Sequence, residues 1–129
     1  MFIKVRRAFT VCAVLLLLGL FILPSLFLRD RCRELNELCD QVLENVEGGD
    51  ALAARMAYGT LTDRYEAMRD CAELFLDHRV MDDATLPLEQ MGVYLHAEDA
   101  VSLQAVTAQF RQALECMLAI EAGDLRLLL

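Results

Sequence analysis

From Ala8 to Leu28 the chain runs for 21 residues without a charge. A helix needs about 20 apolar residues to cross a bilayer, so this run is long enough to span one. Lys4, Arg6 and Arg7 precede it, and an acidic, amphipathic sequence follows. The chain therefore reads as two parts. Residues 1–28 form a basic stretch and a transmembrane anchor, and residues 29–129 form an acidic helical domain.

A cleaved signal peptide has a similar basic start and apolar core. The exit Leu23-Pro24-Ser25-Leu26-Phe27-Leu28-Arg29 lacks the small-residue cleavage pattern, and the run is longer than a signal core. Bulky and charged residues before Cys32 also argue against a lipoprotein site. The expectation is an uncleaved single-pass anchor in the cell membrane. Lys and Arg near the span balance, with Lys4, Arg6 and Arg7 on one side and Arg29, Arg31 and Arg33 on the other. The signal-like start favours a cytoplasmic N-terminus and an extracytoplasmic helical domain.

Charge narrows the partners. From Arg29 onward, nine arginines face all 20 acids, which leaves this part at −11. Such a surface disfavours nucleic acid, whose binding depends on neutralising phosphates, and disfavours lying flat on anionic lipid. The expected partners are the bilayer, through residues 8–28, and a protein at the membrane. Oligomeric state is left open.

Helical periodicity dominates after the span, and no stretch alternates like a strand. The first helix continues from the membrane over residues 29–47, with Arg31, Leu35, Leu38, Val42 and Val46 on one face. Pro24 is expected to kink the span near its outer end. Gly48-Gly49 ends this helix, and Asp50 caps the next. The second helix is expected over 51–79, with the coiled-coil-like stripe Leu61, Tyr65, Met68, Ala72 and Phe75. Met81 to Ala84 reads as a gap. Pro87 suits the first turn of a short third helix over 85–97, with Asp83 or Thr85 as its cap. Asp99 opens a fourth helix, with Leu103, Val106, Phe110, Ala113, Met117 and Ile120 on one face, and Gly123 ends it. Short loops make neighbours antiparallel. The expected fold is all-α, a transmembrane helix continuous with a small antiparallel bundle of about four helices.

The sequence points to no enzyme, cofactor or metal centre. Cys12, Cys32, Cys39, Cys71 and Cys116 form no C-x-x-C. They read as small buried apolar residues, with Cys39 or Cys71 paired to Cys116 as the alternative in an extracytoplasmic domain. No H-E-x-x-H or phosphate loop occurs. The only serines are Ser25 and Ser102, which makes a serine triad hard to build. Titratable groups concentrate around the histidines. Asp77, His78, Asp82 and Asp83 form the candidate functional patch, with His78 expected at the C-terminus of the second helix, where a cation suits the helix dipole. His78 and His96 are expected a helix length apart, too far to share a metal. The tail residues Leu125, Leu127, Leu128 and Leu129 are apolar for a chain end. They either fold back on the bundle or mark a partner surface.

One family resemblance rests on Phe75-Leu76-Asp77-His78, Met81-Asp82, Met91 and Leu95, then Glu98-Asp99, Phe110-Arg111, Leu114, Ile120 and Glu121. In this order of features the chain resembles the bacterial single-pass membrane family known as domain of unknown function 4363. Members often carry a tryptophan in the second helix, where this chain has Tyr65. The resemblance implies a membrane-tethered helical domain and supplies no catalytic residues. The resulting expectation is a membrane-anchored interaction or accessory protein that binds an envelope or integral membrane partner. The alternative is a tethered pH- or ligand-sensing module using the acidic patch around His78.

Overall fold

The computed structural model describes the backbone of residues 2–74 and 76–128, with their side chains apart from Phe21 and residues 121–128. Four helices follow in order: α1 (Phe2–Glu47), α2 (Ala51–Ala72), α3 (His78–His96) and α4 (Ala100–Leu128). Among the described residues there is no strand.

The 46 residues of α1 form one helix, about 69 Å long at 1.5 Å per residue. It continues through Pro24. Its two halves meet different surroundings. The first half is long and apolar enough to cross a membrane, and its described side chains between Phe2 and Leu18 are all exposed. Leu28 is fully buried, and Cys32, Leu35, Leu38, Cys39 and Val42 continue that buried stripe.

The bundle is built from two helical hairpins of one plan. In α1 the buried positions are 32, 35, 38, 39 and 42, and in α3 they are 81, 84, 87, 88 and 91. In α2 they include 54, 57, 61, 65 and 68, and in α4 103, 106, 110, 114 and 117. Each set maps onto its counterpart at one constant offset, 49 residues. The turns match as well. The Asp50 N–H reaches the Asn45 carbonyl at 2.9 Å and the Gly49 N–H reaches Val46 at 3.1 Å. The Asp99 N–H reaches Tyr94 at 3.0 Å and the Glu98 N–H reaches Leu95 at 3.3 Å. Both are Schellman endings, which need a left-handed residue after the helix. Gly49 supplies it at φ 77° and Glu98 at φ 58°. Asp50 and Asp99 then cap the next helices, accepting from the Ala53 N–H at 3.0 Å and the Ser102 N–H at 3.1 Å. Because the match lies in burial pattern and turn geometry, with few identical residues, the sequence reads as having no internal repeat.

The joint between α2 and α3 corrects the sequence reading. The second helix ends at Ala72, not 79, and the third starts at His78, not 85. Asp77 takes extended backbone (φ −67°, ψ 144°) and its carboxylate accepts from the Arg79 N–H, so Asp77, not Asp83 or Thr85, is the cap. Pro87 sits in the middle of α3 instead of its first turn. There it removes the helical donor to the Asp83 carbonyl. Asp83 is on the exposed side, where its carbonyl is open to solvent, while the ring is buried in the core. Gly123 does not end α4, whose backbone stays helical to Leu128.

Two tyrosines two turns apart bind α2 to α3. The Tyr58 hydroxyl donates to the Leu88 carbonyl at 2.7 Å. The Tyr65 hydroxyl lies 2.8 Å from the Met81 carbonyl and 2.8 Å from Thr85 Oγ1. Thr85 Oγ1 is itself 2.8 Å from the same carbonyl, so two hydroxyl protons serve three contacts. Tyr65 is 1% exposed and meets Phe110 of α4 edge to face, ring centroids 5.7 Å apart. The expected stripes hold the core: Met68, Met91, Phe110 and Met117 are buried, while Phe75 lies outside the described residues. Ile120 is the exception, 42% exposed. All five cysteines are free thiols. Cys32 and Cys39 are buried, whereas Cys71 and Cys116 are exposed.

Candidate functional site

The expected patch of Asp77, His78, Asp82 and Asp83 opens out around a residue the sequence reading passed over, Arg69. Its Nε binds Glu73 Oε1 at 3.0 Å, its Nη2 approaches Asp82 Oδ1 at 3.4 Å, and its Nη1 donates to Thr85 Oγ1 at 3.1 Å. His78 is the first residue of α3, not the last of α2, so the carbonyl end of a helix dipole does not lie beneath it. Its Nδ1 stands 3.8 Å from Glu73 Oε1, with the side chain 77% exposed. Asp77 is used as a cap, and Asp83 faces solvent beside it. His96 closes the same helix that His78 opens, about 27 Å away along 19 residues. The two histidines therefore do not meet. Arg69 and Glu73 stand four apart on one helix, a spacing that identifies an ion pair from sequence. Among the described residues, no three His, Cys, Asp or Glu side chains are placed to hold a metal ion.

A second charged group joins α4 to α1. Arg111 Nη2 binds the Asp40 carboxylate and donates to the Asn36 carbonyl at 3.1 Å. The Nε of the same guanidinium is buried without a hydrogen-bond partner. The Cys39 thiol beside it is pushed up to about 11 by burial, which the nearby Arg111 offsets only in part. Cys32 is likewise pushed up to about 11 by burial. Because the thiolate is the nucleophile, both thiols are inert near neutral pH.

A cleft of about 310 Å³ lies at the far end of the bundle, between the two matching turns. Val46, Tyr94, Leu95 and Leu103 line its apolar wall, and Gly49, Glu98 and Asp99 its mouth. Glu47 and Asp50 are also exposed at this tip. Hydrogen bonding to Ser102, side chain and backbone, lowers the pKa of Asp99 and keeps it charged. Glu98 holds its left-handed backbone (φ 58°) without the freedom of glycine because the Schellman ending of α3 requires that conformation. The sequence reading missed this cleft because its walls come from residues 49 positions apart. The expected tail surface of Leu125, Leu127, Leu128 and Leu129 lies outside the residues whose side chains are described.

No family model, no curated protein and no solved structure matches this chain.

Proposed function

We propose that this chain is a single-pass membrane protein whose acidic bundle is an interaction or accessory module. Its N-terminus is cytoplasmic, its bundle extracytoplasmic, and its partner an envelope or integral membrane protein. One observation carries the reading. A single unbroken helix is exposed and apolar in its first half and forms a wall of the bundle core in its second. A bundle joined in this way is held upright, with its tip cleft roughly 28 Å beyond Leu28 by helix rise. The apolar wall and the acids Glu47, Asp50, Glu98 and Asp99 suit a partner segment with an apolar side chain flanked by basic residues. The resemblance to domain of unknown function 4363 rests on the order of features in the sequence and implies a tethered helical domain. A sensing role for His78 has weaker support, because Glu73 and Asp82 are engaged by Arg69 and Asp77 by the α3 cap.

Two measurements test the reading. A membrane-impermeant maleimide applied to intact bacterial cells should label the exposed Cys116; labelling that requires permeabilisation would place the bundle in the cytoplasm. A photo-crosslinking residue at Val101, beside the cleft, should give a discrete adduct that disappears with Glu98→Lys. An adduct from Leu127 alone would move the partner surface to the tail.

A further inference from the structure

The base of the bundle reaches below the point where the apolar run ends. Glu34 of α1 faces Arg64 of α2 at 3.2 Å, and the two helices run antiparallel from the Gly48–Asp50 turn. Leu74 lies ten residues further along the chain from Arg64, about 15 Å toward the membrane end. The same distance along α1 from Glu34 leads to Pro24, four residues inside the apolar run. Burial on α1 agrees with this register. Leu28 is fully covered, and Pro24, Ser25 and Phe27 are half-buried. The α4 backbone descends too. From Arg111, which stands beside Asn36 and Asp40, it continues for 17 residues to Leu128, about 25 Å. That brings its end level with residues 19–23 of α1.

At this depth the α2–α3 turn presents Leu74 at 87% exposure. Leu23 and Leu26 of α1 are exposed at the same level, at 65% and 54%. Leu74 stands among the exposed Glu73, Asp77, His78 and Arg79, so in water it would be an isolated bare leucine at the level of the apolar run. Lowering the bilayer to keep the base dry would leave α1 only residues 8–23 for the crossing, about 24 Å against a core of about 30 Å.

Resting on the membrane-anchor reading, we propose that the α2–α3 turn is a second membrane contact, with Leu74 immersed in the acyl–headgroup boundary of the leaflet that α1 leaves. The depth, about 6 Å inside the end of the apolar run by helix rise, falls in the range of interfacial segments. The charged neighbours fit headgroup level. Arg69 neutralises Glu73 and Asp82, Asp77 is held as the α3 cap, and Arg29 and Arg79 are exposed, as a contact with lipid phosphates requires. The bilayer then grips the bundle at its turn as well as through α1, which prevents the domain from tilting about the exit.

The chain has no tryptophan, so a single introduced indole reports its own depth. Full-length Leu74→Trp is reconstituted in phosphatidylcholine–phosphatidylglycerol vesicles containing lipids brominated at defined chain positions. Leu16→Trp reports the span and Leu52→Trp the tip. The expected result is blue-shifted Leu74→Trp emission that loses most of its intensity to lipids brominated near the carbonyl end. Leu16→Trp should be quenched by deeper bromines, and Leu52→Trp by none. If Leu16→Trp is quenched while Leu74→Trp emits like Leu52→Trp, the turn is in water and the proposal fails with the anchor intact. If neither is quenched, the anchor reading fails as well. An environment-sensitive dye on Cys71, in a chain carrying Cys12→Ser and Cys116→Ser, gives an independent reading should the indole disturb folding. Lipid quenching of that dye supports the proposal, and emission as in water overturns it.

Discussion

Gly92→Ala should change sign with its neighbour. A Cβ on Gly92 would stand 2.7 Å from the Tyr58 hydroxyl oxygen, 3.0 Å from Cζ and 3.1 Å from Cε1. The first is closer than any real contact, so the tyrosine ring must move. Moving it removes the 2.7 Å hydrogen bond to Leu88, worth about 1 kcal/mol, and crowds a stiff ring, which costs about 1–3 kcal/mol. Against this, alanine inside a helix is better than glycine by about 1 kcal/mol. In the native chain the substitution should therefore destabilise by about 1–3 kcal/mol, from the same magnitudes. With Tyr58→Ala already in place the obstacle is gone, and Gly92→Ala should stabilise by about 1 kcal/mol. The coupling is about 2–4 kcal/mol, large for a contacting pair. Urea unfolding of the full chain in mild detergent, followed by helical circular dichroism, measures all four corners of the cycle. The same sign in both backgrounds would refute the argument that Gly92 exists to admit Tyr58.

Tyr65→Phe keeps the edge contact with Phe110 and deletes the buried hydroxyl, so it should lower stability by about 1–2 kcal/mol; an unchanged unfolding midpoint would count against the hydroxyl network. A soluble disulfide reagent at pH 8 should modify Cys71 and Cys116 in the folded chain and reach Cys32 and Cys39 only after unfolding, and rapid reaction of all four would contradict the packing. The two buried thiols also set an alkaline limit. Their folded values, raised from 9.0 to about 11 by burial, mean that the unfolded chain ionises first. Their contribution is complete below about pH 9 and is lost as pH rises toward 11, by about 2–3 kcal/mol per thiol at most. Melting scans between pH 8 and 11 should fall less steeply for the Cys32→Ala/Cys39→Ala double variant, and parallel curves would show that the thiols ionise alike in the folded and unfolded states.

Much of the fold was legible because the signals were local. The uncharged run, the Gly48-Gly49-Asp50 stop and restart, and the Asp99 cap each act within a few residues. The α2–α3 joint was less legible. Residues 73–77 contain neither glycine nor proline, and Asp77 is one acid among many, whereas Pro87 advertises a helix start. Tertiary packing reversed that weighting: burying the Pro87 ring, with hydroxyls of Tyr65 and Thr85 on the preceding turn, offsets its cost inside α3. His78 moved to the other end of a helix as a result. In the charged patch, Arg69 and Glu73 were readable at their four-residue spacing, but Asp82 and Thr85 reach Arg69 only because α3 folds back along α2.

By itself, the amino-acid order determined an all-α chain with one helix apolar enough to cross a membrane, acidic beyond it, with core stripes at helical spacing. These follow from the 3.6-residue period and from local capping, which require no partner. The tertiary structure alone decided that two hairpins repeat one burial plan 49 residues apart, that their turns enclose a cleft, and that Tyr58 needs Gly92 across from it. Those are relations between surfaces, created only when helices distant in the chain are brought side by side.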